Sequence, residues 1–163
     1  MITGVGNFED ILSDIDGNWA KITFTGKLSK TKLEELYKSS TIGVIPSLCE
    51  QCSYVAIEMM KHGLPIVAAA APGLKELFIN RENALIVPLH MICDVPKRLE
   101  LHVDELAETI EILLTDKTLR QKLSNKARLS WEQCFTNIHM GKDTLKVYKQ
   151  LLKIYKTKIN PKL

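Results

Sequence analysis

The chain is short of several things that would decide its class at once. No apolar run approaches the roughly 18–20 residues needed to span a bilayer, and the opening Ile2-Thr3-Gly4-Val5-Gly6 reads as strand and loop, not as a signal peptide. Cysteine is sparse, at positions 49, 52, 93 and 134 only, which argues against a disulfide scaffold and for a reducing cytoplasm. Charge of one sign is also lacking: the formal net charge is +3, too small to indicate nucleic acid. Aromatic residues make up 6% of the sequence, and there is no low-complexity tract or internal repeat.

What remains is an ordinary soluble globular composition, 45% hydrophobic and 25% charged over 163 residues, enough for one domain with a full core. Short apolar runs alternate with helical patterns, the signature of an α/β domain built on a parallel sheet. Strands are expected at 22–24, 42–45, 65–68 and 84–87, with a weaker one at 2–3. None shows apolar/polar alternation over any length, as expected of strands covered on both faces.

Helices are expected from Ser29 or Thr31 to Ser39, with Thr31 and Glu34 at capping-box spacing, and from Ser53 to His62, with Gly63 as a left-handed stop and Pro65 beyond it. Gly4 and Gly6 suit a tight strand-to-helix turn. Three consecutive helices are expected after that, over Val103–Thr115, Lys117–Gln133 and Thr136–Tyr155. The first of them carries an apolar stripe of Leu106, Ile110, Leu113 and Leu114.

The informative stretch is Pro46-Ser47-Leu48-Cys49-Glu50-Gln51-Cys52-Ser53-Tyr54-Val55-Ala56-Ile57-Glu58, which follows a buried strand and opens a helix. Ligands of open α/β sheets bind at such loops, beyond the carboxyl ends of strands. The amides of Ser53, Tyr54 and Val55, with the helix dipole behind them, suit a phosphate or another anion. Glu50 and Glu58 flank that start. Alone they are ordinary solvated charges, but carboxylates also accept strong paired hydrogen bonds from sugar diols.

This stretch resembles the retaining glycosyltransferases of family 4 (group 1), which have the GT-B fold. The resemblance rests on Pro46-Ser47, Glu50, Glu58-Met59-Met60, Gly63-Leu64-Pro65-Ile66-Val67 and Pro72-Gly73-Leu74-Lys75-Glu76. It extends to Ile22–Leu28, to Asn83–Pro88 and to the closing helices, so it covers nearly the whole chain. The fold it implies is a Rossmann-like parallel sheet flanked by helices, the C-terminal half of a GT-B enzyme, with a helical tail.

The resemblance also implies roles. Glu50 sits near the anomeric centre and holds the donor sugar's hydroxyls, and Glu58 holds the ribose. Ser47, Cys52, Ser53, Tyr54 and Val55 line the sugar and diphosphate, and Gly26, Lys27 and Leu28 lie beside the base. The donor is a UDP- or GDP-sugar, transferred with retention of configuration to an acceptor in surface polysaccharide or glycoconjugate synthesis. No catalytic metal and no cofactor are implied.

The sequence departs from the family in two places. Gln51-Cys52-Ser53-Tyr54 stands where the family has a small residue, leaving the sugar open. The family's preceding strand and helix, with the Arg and Lys that neutralise the diphosphate, have no counterpart here, nor does the N-terminal acceptor domain. The expectation is therefore a single donor-binding domain, a fragment, inactive as a transferase alone. A nucleotide-sugar epimerase of the GT-B type and a stand-alone binding or interaction module are the alternatives.

Other features have plainer readings. Cys49 and Cys52 form a C-x-x-C without a second ligand pair, and Cys93 with His90 is not spaced persuasively for zinc. No catalysis is assigned to His90, His102 or His139, and His62 reads as a helix C-terminal residue. The last helix carries Lys146, Lys149, Lys153 and Lys156 among Leu145, Tyr148, Leu151, Leu152 and Tyr155. Such a helix either packs on the absent acceptor domain or lies on an anionic membrane, on its inner face.

Overall fold

The computed structural model describes residues 1–6, 9–15, 17, 19–92 and 98–159. They fall into two compact units, 1–39 and 40–163.

In the first unit, β1 (Ile2–Thr3) pairs parallel with β2 (Phe24–Gly26). Between them lies α1 (Glu9–Asp14), so the Gly4-to-Gly6 turn does lead from strand to helix, with Gly4 at φ +139°. The strand expected at 22–24 begins only at Phe24, because Ile2 is aligned with Phe24 and the ladder has no earlier partner. Gly26 ends it at φ +63°, a backbone conformation that glycine adopts without strain, and its carbonyl accepts from the Gly4 amide at 3.1 Å. Helix α2 (Lys30–Ser39) follows. Its cap is Ser29, whose hydroxyl accepts from the Lys32 amide at 3.4 Å, so the helix starts one residue ahead of Thr31.

In the second unit, β3 (Gly43–Ile45), β4 (Ile66–Ala69) and β5 (Leu85–Val87) form a parallel sheet in the order β3-β4-β5. The central strand is buried at every residue, which is why its sequence does not alternate. The two faces are nonetheless distinct. Ile66 and Ala68 join one core cluster with Ala56 and Met60 of α3 (Tyr54–Lys61) and Ala127 of α6 (Lys117–Cys134). Val67, Leu85 and Val87 join another with Leu113 of α5 (Val103–Thr115) and Leu123 of α6.

The helix ends are fixed by identifiable groups. Helix α3 stops in a Schellman motif: the Gly63 amide donates to the Met60 carbonyl at 3.0 Å and Leu64 to Met59 at 3.0 Å, with Gly63 at φ +63°. Two arginines of α6 reach the carboxyl ends of its neighbours. Arg120 donates to the carbonyls of Leu113 and Leu114, and Arg128 to that of Lys61 while lying over the Trp131 ring. Asp116 caps α6 itself through the Leu119 amide at 2.8 Å.

The short α4 (Pro72–Lys75) and an antiparallel hairpin, β6 (His90–Ile92) with β7 (Arg98–Glu100), are additions to the sequence reading. In α5 the expected stripe holds for Leu106, Ile110 and Leu113, but Leu114 is 48% exposed. One residue past Leu113 is a turn of about 100° around the helix, which carries Leu114 off the stripe. The last helix, α7 (Asn137–Ile159), has Lys142, Lys146, Lys149 and Lys153 on one face and exposes Leu145, Val147, Tyr148, Leu151, Leu152, Ile154 and Tyr155. Among the described residues no helix is long and apolar enough to cross a membrane.

Candidate functional site

Adjacent parallel strands β3 and β4 each end by opening a helix at the same edge of the sheet. From Ile45 the chain runs through residues 46–53 into α3; from Ala69 it runs through Ala70 and Ala71 into α4. Parallel pairing, Gly43 with Ile66 through Ile45 with Ala68, places both openings side by side. This is the edge where open α/β sheets bind ligands.

The two openings are joined. Helix α4 begins with Pro72, which has no N–H, and its preceding residue Ala71 supplies no side-chain cap. The next amide, that of Gly73, donates to the backbone carbonyl of Glu50 at 3.0 Å. A Cβ on Gly73 would lie 2.5 Å from the carbonyl oxygens of both Glu50 and Gln51. Glycine is therefore what lets the Glu50 loop rest on the start of α4.

Serine 53 is the N-cap of α3, and its hydroxyl accepts from the Ala56 amide at 3.3 Å. Buried to 5% exposure, that hydroxyl is committed to its own helix, and Tyr54 is the first helical residue. The amides of Tyr54 and Val55 meet no acceptor among the described residues, and both side chains are exposed. Glu50, Ser47 and Glu58 are half-buried, and Cys52 is exposed. Glu58 is the fifth residue of α3, about 6 Å along its axis from Tyr54.

The structure thus places Ser47, Glu50, Cys52, Ser53, Tyr54, Val55 and Glu58 on one strand-to-helix crossing. Gly26, Lys27 and Leu28 stand at the end of β2 in the first unit, with Lys27 exposed and the other two half-buried. Cys49, Cys52 and Cys134 are free, exposed thiols, and Cys93 lies outside the described residues. Gly73 is the residue that a side-chain search passes over. The signal for it is Ala71-Pro72-Gly73, a proline at a helix start that leaves the next amide to be capped from elsewhere.

An open parallel sheet with helices opening at the carboxyl ends of its strands, and two half-buried carboxylates at one opening, defines an α/β domain like those of GT-B glycosyltransferases. The chain belongs to the family of glycosyl transferases group 1, which matches residues 7–130. It is 30% identical over 152 residues to an uncharacterized glycosyltransferase of Methanocaldococcus jannaschii, covering 91% of this chain and 36% of that protein. Sucrose-phosphate synthase from Thermosynechococcus elongatus superposes with a TM-score of 0.73 at 26% identity, over 90% of this chain and 34% of that one. An Anabaena protein solved in complex with UDP-glucose has the same fold, with a TM-score of 0.70 at 18% identity over 91% of this chain and 40% of that one. The chain therefore spans little more than a third of the length of these relatives.

Proposed function

We propose that this chain is the donor-binding part of a glycosyltransferase that takes a sugar from a nucleotide diphosphate sugar and transfers it with retention of configuration. The observation that carries the reading is the bond from Gly73 to the Glu50 carbonyl, which fixes the main chain of Glu50 in the loop that opens α3. The UDP-glucose complex of the Anabaena relative supports a uridine or similar diphosphate donor.

The diphosphate takes the Tyr54 and Val55 amides, where the dipole of α3 adds favourable charge. The leaving diphosphate gains negative charge as the glycosidic bond breaks, and pre-set donors at that point lower the barrier. The Glu50 carboxylate accepts hydrogen bonds from the sugar hydroxyls near the reacting carbon. It orients the sugar and steadies positive charge there, without acting as a glycosidase-type nucleophile. Glu58, one turn into α3, accepts from the two ribose hydroxyls. No resident metal or cofactor takes part. The acceptor is held by residues outside this chain, and the chain alone is inactive as a transferase.

Calorimetric titration with UDP, GDP and ADP at millimolar concentration tests the reading. Preferential binding of one nucleotide supports it and names the donor class. Silence towards all three, by this chain and by one extended with a preceding strand and helix, overturns it.

A further inference from the structure

The hairpin and the start of α5 bring together four side chains that play no part in the proposed donor site. His90 on β6 is aligned with Glu100 on β7. Two residues later His102 is the N-cap of α5, and Glu105 lies in the first turn of that helix. His90 Nε2 is 2.9 Å from Glu105 Oε2, and His102 Nδ1 is 3.6 Å from Glu105 Oε1. Ligand atoms of His90, His102 and Glu105 all lie within 4.8 Å of one another. The remaining ring nitrogen of His102, Nε2, is 3.2 Å from Glu100 Oε1.

We propose that His90, His102 and Glu105 bind a divalent metal ion of the zinc class, with Glu100 orienting His102 from behind. Two imidazoles and a carboxylate are a donor set that zinc takes, water filling the fourth position. Tetrahedral bonds of about 2.0–2.2 Å set neighbouring donors roughly 3.4 Å apart. The three ligand atoms, all within 4.8 Å of one another, reach that spacing by the turn of one ring.

A carboxylate that holds Nε2–H of His102 leaves its Nδ1 as the lone pair, and that atom is the one facing Glu105. Metal-bound histidines characteristically carry such a carboxylate on the opposite nitrogen.

Without an ion the two rings stack, with centroids 3.8 Å apart and planes 11° apart. Parallel rings do not aim both lone pairs at one point, so binding swings an imidazole about its Cβ–Cγ bond. The side chains of His90 and His102 are 37% and 45% exposed, which leaves room for that turn and for entry of the ion from solvent. Once bound, the ion ties β6 to the start of α5, a helix whose Leu106, Ile110 and Leu113 pack on Val67, Leu85 and Val87. An ion held by the folded state alone stabilises it.

The test is calorimetric titration of the chain with zinc chloride, together with optical absorption of the cobalt(II)-loaded protein and thermal melts. The expected result is one ion per chain, a raised thermal midpoint, and a cobalt spectrum without thiolate charge-transfer absorption. Affinity should fall by at least tenfold in His90→Ala and in Glu105→Gln. In Glu100→Gln the fall should be roughly 10–100-fold. Metal-free urea midpoints of these variants close to that of the parent chain assign the losses to the site and not to unfolding. Absence of binding overturns the proposal. So does a thiolate spectrum, with affinity unchanged by His90→Ala, which would place the ion on the exposed cysteines.

Discussion

The amide of Gly73 donates to the carbonyl of Glu50 at 3.0 Å, and the space a side chain would need at Gly73 is already filled by that same carbonyl. Two consequences follow from one contact. The loop after β3 cannot move away from α4 without exposing the Gly73 amide. And the position of Glu50 is set by main chain, so the carboxylate is presented from a base that does not depend on its own rotamer.

Gly73→Ala tests this coupling. Within a helix, glycine to alanine ordinarily gains up to about 1 kcal/mol. Here the new Cβ would lie 2.5 Å from two backbone oxygens, and backbone cannot yield as a flexible side chain can. The expected outcome is a net loss of roughly 1–3 kcal/mol in urea unfolding, the usual cost of overpacking. Binding of the nucleotide sugar should weaken as well. A stabilised variant would show that the Glu50 loop moves freely.

Ser53→Ala should cost about 1 kcal/mol, the value of an N-cap, because the Ala56 amide loses its 3.3 Å partner in a buried setting. Ser53→Thr keeps the oxygen and should recover part of the loss. If equilibrium unfolding finds Ser53→Ala neutral, the start of α3 is held by something other than its cap.

Much of this architecture is legible in the residues, and the parts that are not have physical causes. The Ser53 start and Gly63 stop of α3 are visible because capping needs particular side chains and a positive φ. The strands at 43–45, 66–69 and 85–87 show as apolar runs because both faces are covered. Strand edges shift by a residue or two because a strand begins where its partner does, as Phe24 does opposite Ile2. The β6–β7 hairpin is invisible to periodicity: each strand has three residues, too few to show a period of two. Helix α4 has four residues and fails for the same reason. Glu50 and Glu58 stand out as charges beside apolar runs, whereas the contact between Glu50 and Gly73 joins two backbones and leaves no chemical mark except the glycine.

Asn83 illustrates a stabilising residue of the same hidden kind. Its Oδ1 accepts from the Ile79 amide at 2.7 Å, and its Nδ2 donates to the Leu77 carbonyl at 3.1 Å and to Ser130 Oγ at 3.3 Å. The residue is 4% exposed, and its three bonds are partly shielded from water. Asn83→Ala leaves the Ile79 amide and the Leu77 carbonyl without these partners, at about 0.5–1.5 kcal/mol each. Asn83→Asp keeps the acceptor but turns a donor towards Leu77 into a carboxylate facing a carbonyl. Both should lower the urea midpoint, with no selective effect on donor binding.

The two carboxylates make separable predictions. If Glu58 holds the ribose, Glu58→Gln weakens the nucleoside diphosphate and the nucleotide sugar alike. A hydrogen bond to a charged group contributes roughly 1.5–3 kcal/mol, so the expected drop is on the order of 10- to 150-fold for both ligands. If Glu50 faces the sugar, Glu50→Gln should leave the nucleoside diphosphate affinity unchanged and weaken only the nucleotide sugar. Parallel calorimetric titrations of the two variants read the difference directly. Equal losses for both ligands in Glu50→Gln would move that carboxylate to the nucleotide. Unchanged affinity for both in Glu58→Gln would remove Glu58 from the ribose and leave α3 contributing its amides and dipole alone.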